Sequence, residues 1–324
     1  MIIGLCFKEF YFNSDNILYI MEKKCKIVCS RGLLKSCTFH SQNPKSSCNN
    51  DFNYLINMLQ SNRMFDGMSI YVCSELLKFF VNKILPNLRN KFTLVSGDSD
   101  LCVPIEALTQ DETSRLLNSH LLIKWFIQNT RIHNDDRIIQ LPIGLDYHTI
   151  YSNPNHSWKK NGESHLPIEQ ENILLNIINQ SPIFSERKNK IYVNFSKSND
   201  RFNQRTRSLE NISNNLLEIN NNFTKRTDNW NLMTTYKFIL SPFGVGMDCH
   251  RTWEAISLGC VPIVCAPNFK NLFNGFNILN VNNWSEVTEE LLNSYSMTIG
   301  NNELNSINNE KLKLSYWVDK INTK

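Results

Sequence analysis

The residues best placed to do chemistry lie between positions 236 and 266. A β-prone run, 236–240, stops at Pro242, which cannot donate to a ladder. Gly244 and Gly246 follow, and the 324-residue chain has only 11 glycines, so their closeness marks a special local geometry. Glycine permits backbone conformations and close approaches that side chains forbid. Asp248 can cap a helix that begins near His250. Gly259 closes that helix as a left-handed C-cap, and 261–264 is the next buried strand. A strand, a glycine loop and a helix start form an anion site. Unpaired N–H groups point at the ligand, and the helix dipole adds roughly half a positive charge. Arg251 stands in the first turn, opposed to the helix's own dipole, which suits a ligand's negative charge. Glu254, three residues on, is of the type that grips two ribose hydroxyls in dinucleotide folds. The alternative is a plain glycine turn with Arg251 and Glu254 as a solvated i, i+3 ion pair.

Other candidates stand at the ends of apolar runs. Gly97-Asp98-Ser99-Asp100 follows the run 91–96. Asp98 and Asp100 are candidates for acceptor binding, for a general base or for a metal pair, and the same four residues also make an ordinary turn. Asp146 and His148 follow the run 137–143, where active-site residues of open α/β sheets collect. Either is a candidate base, and both would equally suit a capped turn. His250 is a third candidate base, or a contact to a donor phosphate. Lys197, Arg201 and Arg205 follow the run 190–195 and read as a phosphate clamp or as a solvated basic face.

These residues need elements to position them. Residues 26–30 read as a short buried strand and 51–60 as an amphipathic helix. Runs 69–73, 91–96, 121–128, 137–143, 190–195, 236–240, 261–264 and 278–281 read as strands. Helices are expected over 74–85, ended by Pro86, and around 106–117, 173–180, 209–219, 285–293 and 304–321. Periodicity fails over 151–168, and Asn-rich patches lie at 220–222 and 301–309. The alternation of strands and helices in both halves predicts an α/β protein with two parallel sheets joined by helical crossovers. The expected organisation is an N-terminal arm at 1–25, an acceptor-side domain at 26–168, a donor-binding domain at 169–303 and a C-terminal helix at 304–324.

Composition narrows the classes. Hydrophobic residues make up 41% and charged residues 20%, enough for packed cores. With 34 basic and 30 acidic residues, the net charge of +4 does not argue for nucleic acid, and no basic stripe with aromatic platforms stands out. A local basic cleft for an anionic small ligand remains compatible. The 10 cysteines sit partly in apolar runs and read as free thiols in a reducing compartment. Cys25, Cys29, Cys37, His40 and Cys48 have no usual zinc spacing. No run approaches the roughly 20 apolar residues of a membrane span. Without a basic leader and signal core, a cytoplasmic protein is expected.

The run from Ser241 to Val264, with Pro242, Gly244, Gly246, Asp248, Arg251, Trp253-Glu254-Ala255-Ile256 and Gly259-Cys260-Val261-Pro262, resembles the donor-binding signature of exostosin-like glycosyltransferases. Fainter likeness covers 94–100, 141–148 and the run 192–196, which ends in Ser196 with its trailing arginines. The resemblance implies two Rossmann-like domains facing across a cleft, the GT-B arrangement, with the sugar donor on the C-terminal one. Glu254 would hold the ribose or neighbouring sugar. Arg251, Gly244 and Gly246 would hold the diphosphate. Many relatives carry Arg directly before the first glycine, where this chain has Phe243, so Arg251, Lys197, Arg201 or Arg205 must supply the charge. The implied activity is transfer of a sugar from a nucleotide-diphosphate sugar to a hydroxyl of a glycan or other acceptor. It is expected to be inverting, with protein cations rather than a metal meeting the leaving group's charge and no tightly bound cofactor. The alternative is a non-catalytic nucleotide- or carbohydrate-binding relative.

Overall fold

The computed structural model describes residues 21–132, 134–299 and 309–323. The expected arm up to residue 20 therefore lies outside the described residues, as do 304–308 of the expected C-terminal helix and most of the 301–309 Asn patch.

Two parallel sheets organise the chain. The first contains β1 (Met68–Cys73), β2 (Phe92–Gly97), β3 (Leu122–Ile127) and β4 (Ile138–Gln140), side by side in sequence order. β1 and β2 are buried at every residue, which is why they read as unbroken apolar runs. The second sheet contains β5 (Lys188–Val193), β6 (Leu217–Ile219), β7 (Tyr236–Leu240), β8 (Val261–Val264) and β9 (Leu279–Asn280). Its spatial order is β6-β5-β7-β8-β9, so the winding direction reverses between β5 and β7. Registers are parallel throughout, with Phe238 opposite both Ile191 and Val261.

Each sheet has its own core. Phe80, Phe92, Leu94 and Trp125 fill the first, and Ile191, Phe238, Leu240 and Ile263 the second. A third buried cluster draws Tyr71 and Phe126 from the first sheet, Ile239 and Trp253 from the second segment, and Trp317 from the C-terminus. The C-terminal helix is Leu314–Asn322, and it returns to the beginning of the fold: Leu314 N–H donates to Lys26 O at 2.8 Å. Among the described residues no helix is long and apolar enough to cross a membrane.

Several expectations change in detail. Residues 26–30 form isolated bridges instead of a strand, and Ser30 opens the helix Ser30–Ser36. The Glu171 carboxylate accepts the amides of Lys26 and Ile27 at 2.9–3.0 Å, taking the place of a ladder neighbour. The span 209–219 divides into a helix, Gln204–Asn211, and the edge strand β6. Ile212 and Leu216 are buried as the helical spacing demands, but Asn214–Leu216 forms a separate turn between them. The helix expected from 106 starts at Gln110, because Thr109 and Glu112 form a reciprocal capping box there. The span 74–85 is a succession of 3-10, α and π turns ending at Asn87. The helix expected at 173–180 runs Pro167–Gln180, across the expected 168/169 boundary.

Candidate functional site

Open parallel sheets receive ligands beyond the carboxyl ends of their strands, where the winding reverses. Here that point lies between β5 and β7. The loops after these strands meet those leaving β2, β3 and β4 of the first sheet. The Asp248 amide donates to Asn129 Oδ1 at 2.8 Å, and the Ile143 amide donates to Asp248 Oδ2 at 2.8 Å. Arg201 pairs with Glu106, and Arg131 Nε reaches Met247 Sδ at 3.0 Å.

On the β5/β7 side two arginines converge. Arg205 is 8% exposed. Its Nη1 donates to Ser196 O at 2.6 Å, while its buried Nε has no hydrogen-bond partner. Its Nη2 lies so near Gly244 that a Cβ there would stand 2.5 Å away. Arg251, in the first turn of the helix His250–Ser257, donates Nε–H to Asn194 Oδ1 at 3.2 Å. Burial pushes the Arg251 pKa down, and the charge of Arg205 pushes the same way. Both guanidiniums flank the Phe195 ring, 5.5 and 5.4 Å from its centre. Neither forms an ion pair with a carboxylate among the described residues. The alternative Arg251–Glu254 ion pair is thus not formed, and the Glu254 side chain has no hydrogen-bond partner among the described residues.

Of the two properties that glycine offers, special backbone conformation and close approach, the loop uses the second. Neither Gly244 nor Gly246 has a left-handed φ; of the three glycines in this segment Gly259 alone does, at +68°. What the two glycines supply is space. Arg205 occupies the space beside Gly244, and a Cβ on Gly246 would meet Asp100 Oδ1 at 2.8 Å and Asn129 Nδ2 at 3.3 Å. Asp248 does not cap the helix. Cys249 is the N-cap and makes no side-chain cap bond. The Asp248 carboxylate instead accepts Trp253 Nε1–H at 2.9 Å and the Ile143 amide, tying the two sheets together. Burial lifts its pKa to about 6, against these hydrogen bonds.

On the first-sheet side, Asp146, His148, His250 and Asp100 come together. His148 Nδ1 lies 3.1 Å from Asp146 Oδ1, and Arg226 Nη2 lies 3.5 Å from Asp146 Oδ2. Burial works to raise the Asp146 pKa, but His148, His250 and Arg226 overcome it and hold the carboxyl well below the usual range. Burial lowers the His148 pKa, with Arg31 and His250 acting the same way and Asp146 opposing. Near neutral pH this leaves Asp146 ionised and His148 neutral, with its proton on Nδ1 and a lone pair on Nε2. His250 Nδ1 contacts Gly144 O at 2.7 Å. A carbonyl only accepts, so His250 donates its Nδ1–H there. The two rings are 6.0 Å apart. Asp100 has a pKa raised by partial burial, opposed by His250 and Arg201.

Other candidates are committed elsewhere. The Asp98 carboxylate forms a buried ion pair with Arg31 at 2.7 Å, and its backbone is left-handed at φ 61°. Arg201 is held by Glu106. Ser196 and Lys197 are exposed, and Ser196 Oγ bonds Ser198 Oγ at 2.7 Å. The sequence reading missed Asn129, Asn194, Arg226 and Arg31. A polar amide just past an apolar strand, as in Tyr192-Val193-Asn194 and in Ile127-Gln128-Asn129, is the local signal available for the first two. Among the described residues no group of three or more His, Cys, Asp or Glu is placed to hold a metal ion. The nine described cysteines are free, and burial pushes Cys37 up to about 12 and Cys73 and Cys260 up to about 11.

No protein-family model matches the sequence, and no curated protein matches it either. Among solved structures the chain is similar to a crystal structure of an alpha1,3-fucosyltransferase. The two are 16% identical, with a TM-score of 0.38, over 76% of this chain and 70% of that one.

Proposed function

We propose that the chain is a glycosyltransferase that moves a sugar from a nucleotide-diphosphate sugar to an acceptor hydroxyl. One observation carries the reading: two arginines stand close together, without carboxylate partners among the described residues, at the switch point of a parallel sheet beside a helix start and a glycine loop. Uncompensated charge of this kind suits a diphosphate. Glu254, unpaired among the described residues and one turn on, is the group for ribose or sugar hydroxyls.

Across the junction, His148 Nε2 takes the proton of the acceptor hydroxyl, and Asp146 stabilises the imidazolium that results. The acceptor oxygen attacks the anomeric carbon from the face opposite the diphosphate. The bond to the diphosphate breaks, and the electron pair leaves with it. Arg205, Arg251 and the helix amides meet the charge that develops there, so the displacement inverts the anomeric centre and asks for no metal. In this reading the chain is exostosin-like and cytoplasmic, with two Rossmann-like domains facing across a cleft. Residues 26–168 offer the acceptor, a glycan or other hydroxyl compound, and 169–303 bind the donor.

Titration of the folded protein with uridine and guanosine diphosphates and their sugars tests this, repeated with Glu254→Ala. Micromolar binding of one nucleotide, weakened in the variant, is the expected outcome. A folded protein that binds none of them would overturn the reading. Binding with no turnover of any nucleotide sugar would indicate a non-catalytic relative.

A further inference from the structure

Arg251 is oriented by an amide and not by a carboxylate. Asn194, the first residue past β5, takes the Arg251 Nε–H on its Oδ1 at 3.2 Å. The Asn194 Nδ2 donates in turn to Asn229 Oδ1. Asn229 Oδ1 also accepts the Tyr192 hydroxyl at 3.0 Å, and Asn220 Nδ2 donates to that hydroxyl at 3.0 Å. A chain of uncharged groups thus runs from Asn220 to a half-buried guanidinium. Arg251 uses only Nε in it, and among the described residues neither terminal nitrogen has a hydrogen-bond partner.

Arginines taken partly out of water are commonly held by carboxylates, because a bidentate pair cancels the charge being desolvated. At Arg251 that cancellation is absent, and Arg205 adds like charge. An amide fixes the plane of the guanidinium and leaves its charge intact. An uncancelled, partly desolvated charge costs stability, and a bound anion would offset that cost. We propose that Asn194 is a positioning residue of the donor site, anchored by Asn229, which aims the fully charged Arg251 at the phosphate groups of the ligand. This rests on the nucleotide-diphosphate reading above.

The test is Asn194→Asp, which keeps the size and the acceptor for Nε–H but sets a negative charge against Arg251. Asn229 can turn its amide over to meet the new oxygen. Binding of uridine and guanosine diphosphates is measured over a series of salt concentrations, with melting temperature as the control for folding. For the nucleotide that the wild type binds, affinity falls roughly tenfold in the variant, the loss of one charge-assisted contact. The salt dependence of binding also flattens, because one cation has been neutralised; a merely structural role would not produce this. Unchanged affinity and salt dependence in folded Asn194→Asp would overturn the proposal. If that variant does not fold, Asn194→Ala decides: weakened binding supports the positioning role and unchanged binding refutes it. A wild-type protein that binds neither nucleotide overturns the donor-site reading itself, and this proposal with it.

Discussion

Two alanine substitutions in one loop separate the two halves of the proposed site. A Cβ added at Gly244 would stand 2.5 Å from Arg205 Nη2, and one at Gly246 would stand 2.8 Å from Asp100 Oδ1. Ordinary contact begins at 3.4 Å, so the guanidinium must retreat in the first case and the carboxylate in the second. Both obstacles are ends of flexible side chains, and neither glycine uses a left-handed φ, so the backbone tolerates alanine. For Gly244→Ala the stability cost is the charge-assisted Arg205 bond to Ser196 O, about 1.5–3 kcal/mol. The binding cost is of the same size. A displaced Arg205 forfeits a hydrogen bond to a charged ligand, about 1.5–3 kcal/mol, or roughly 10- to 150-fold in affinity. Gly246→Ala leaves the arginines in place and disturbs Asp100, so nucleoside diphosphate affinity stays near wild type. Calorimetric titration with uridine and guanosine diphosphates, with thermal melting of both variants, measures each effect. Wild-type affinity in folded Gly244→Ala, or equal loss of affinity in both variants, would refute the reasoning.

Other consequences follow from the acid–base groups. His148→Asn should lower turnover by about 10²–10⁴ and leave nucleotide affinity unchanged. With the His148 pKa below its ordinary 6.5, the wild-type rate should halve on acidification at a pH below that value; a rate that halves at or above 6.5 would contradict this. Asp146→Ala strands the buried Arg226 and should cost about 3–5 kcal/mol, read from urea unfolding. Asp248, raised from 3.8 to about 6 and fully enclosed, favours the protonated form in the fold. Its contribution of about 3 kcal/mol is therefore present below pH 3.8 and lost as pH rises through 6. Asp248→Asn should flatten the fall in stability between these values, measured as unfolding midpoints against pH.

The elements legible in the sequence are those whose signals are local. β7 and β8 match the expected 236–240 and 261–264 because apolar runs bounded by Pro242 and Gly259 leave little choice of ends. The span 209–219 misled because Leu209, Ile212 and Leu216 recur at helical spacing, yet Ile212 and Leu216 are buried from a turn. At the site, the positions of Asp146, His148 and His250 past their elements follow from parallel-sheet logic. Their mutual approach does not, since it depends on how the loops of two sheets meet. Asp248 failed as a cap for the same reason: its partners Ile143 and Trp253 include one 105 residues away, and they outcompete the local amide. Arg226 gave no signal, because it reaches Asp146 from 80 residues away.

The most direct test of the donor site is the structure of the protein crystallised with uridine or guanosine diphosphate. The account predicts phosphate oxygens within hydrogen-bond distance of Arg205 and Arg251, with Glu254 on the ribose. A nucleotide bound elsewhere on the molecule, with these two arginines untouched, would contradict it.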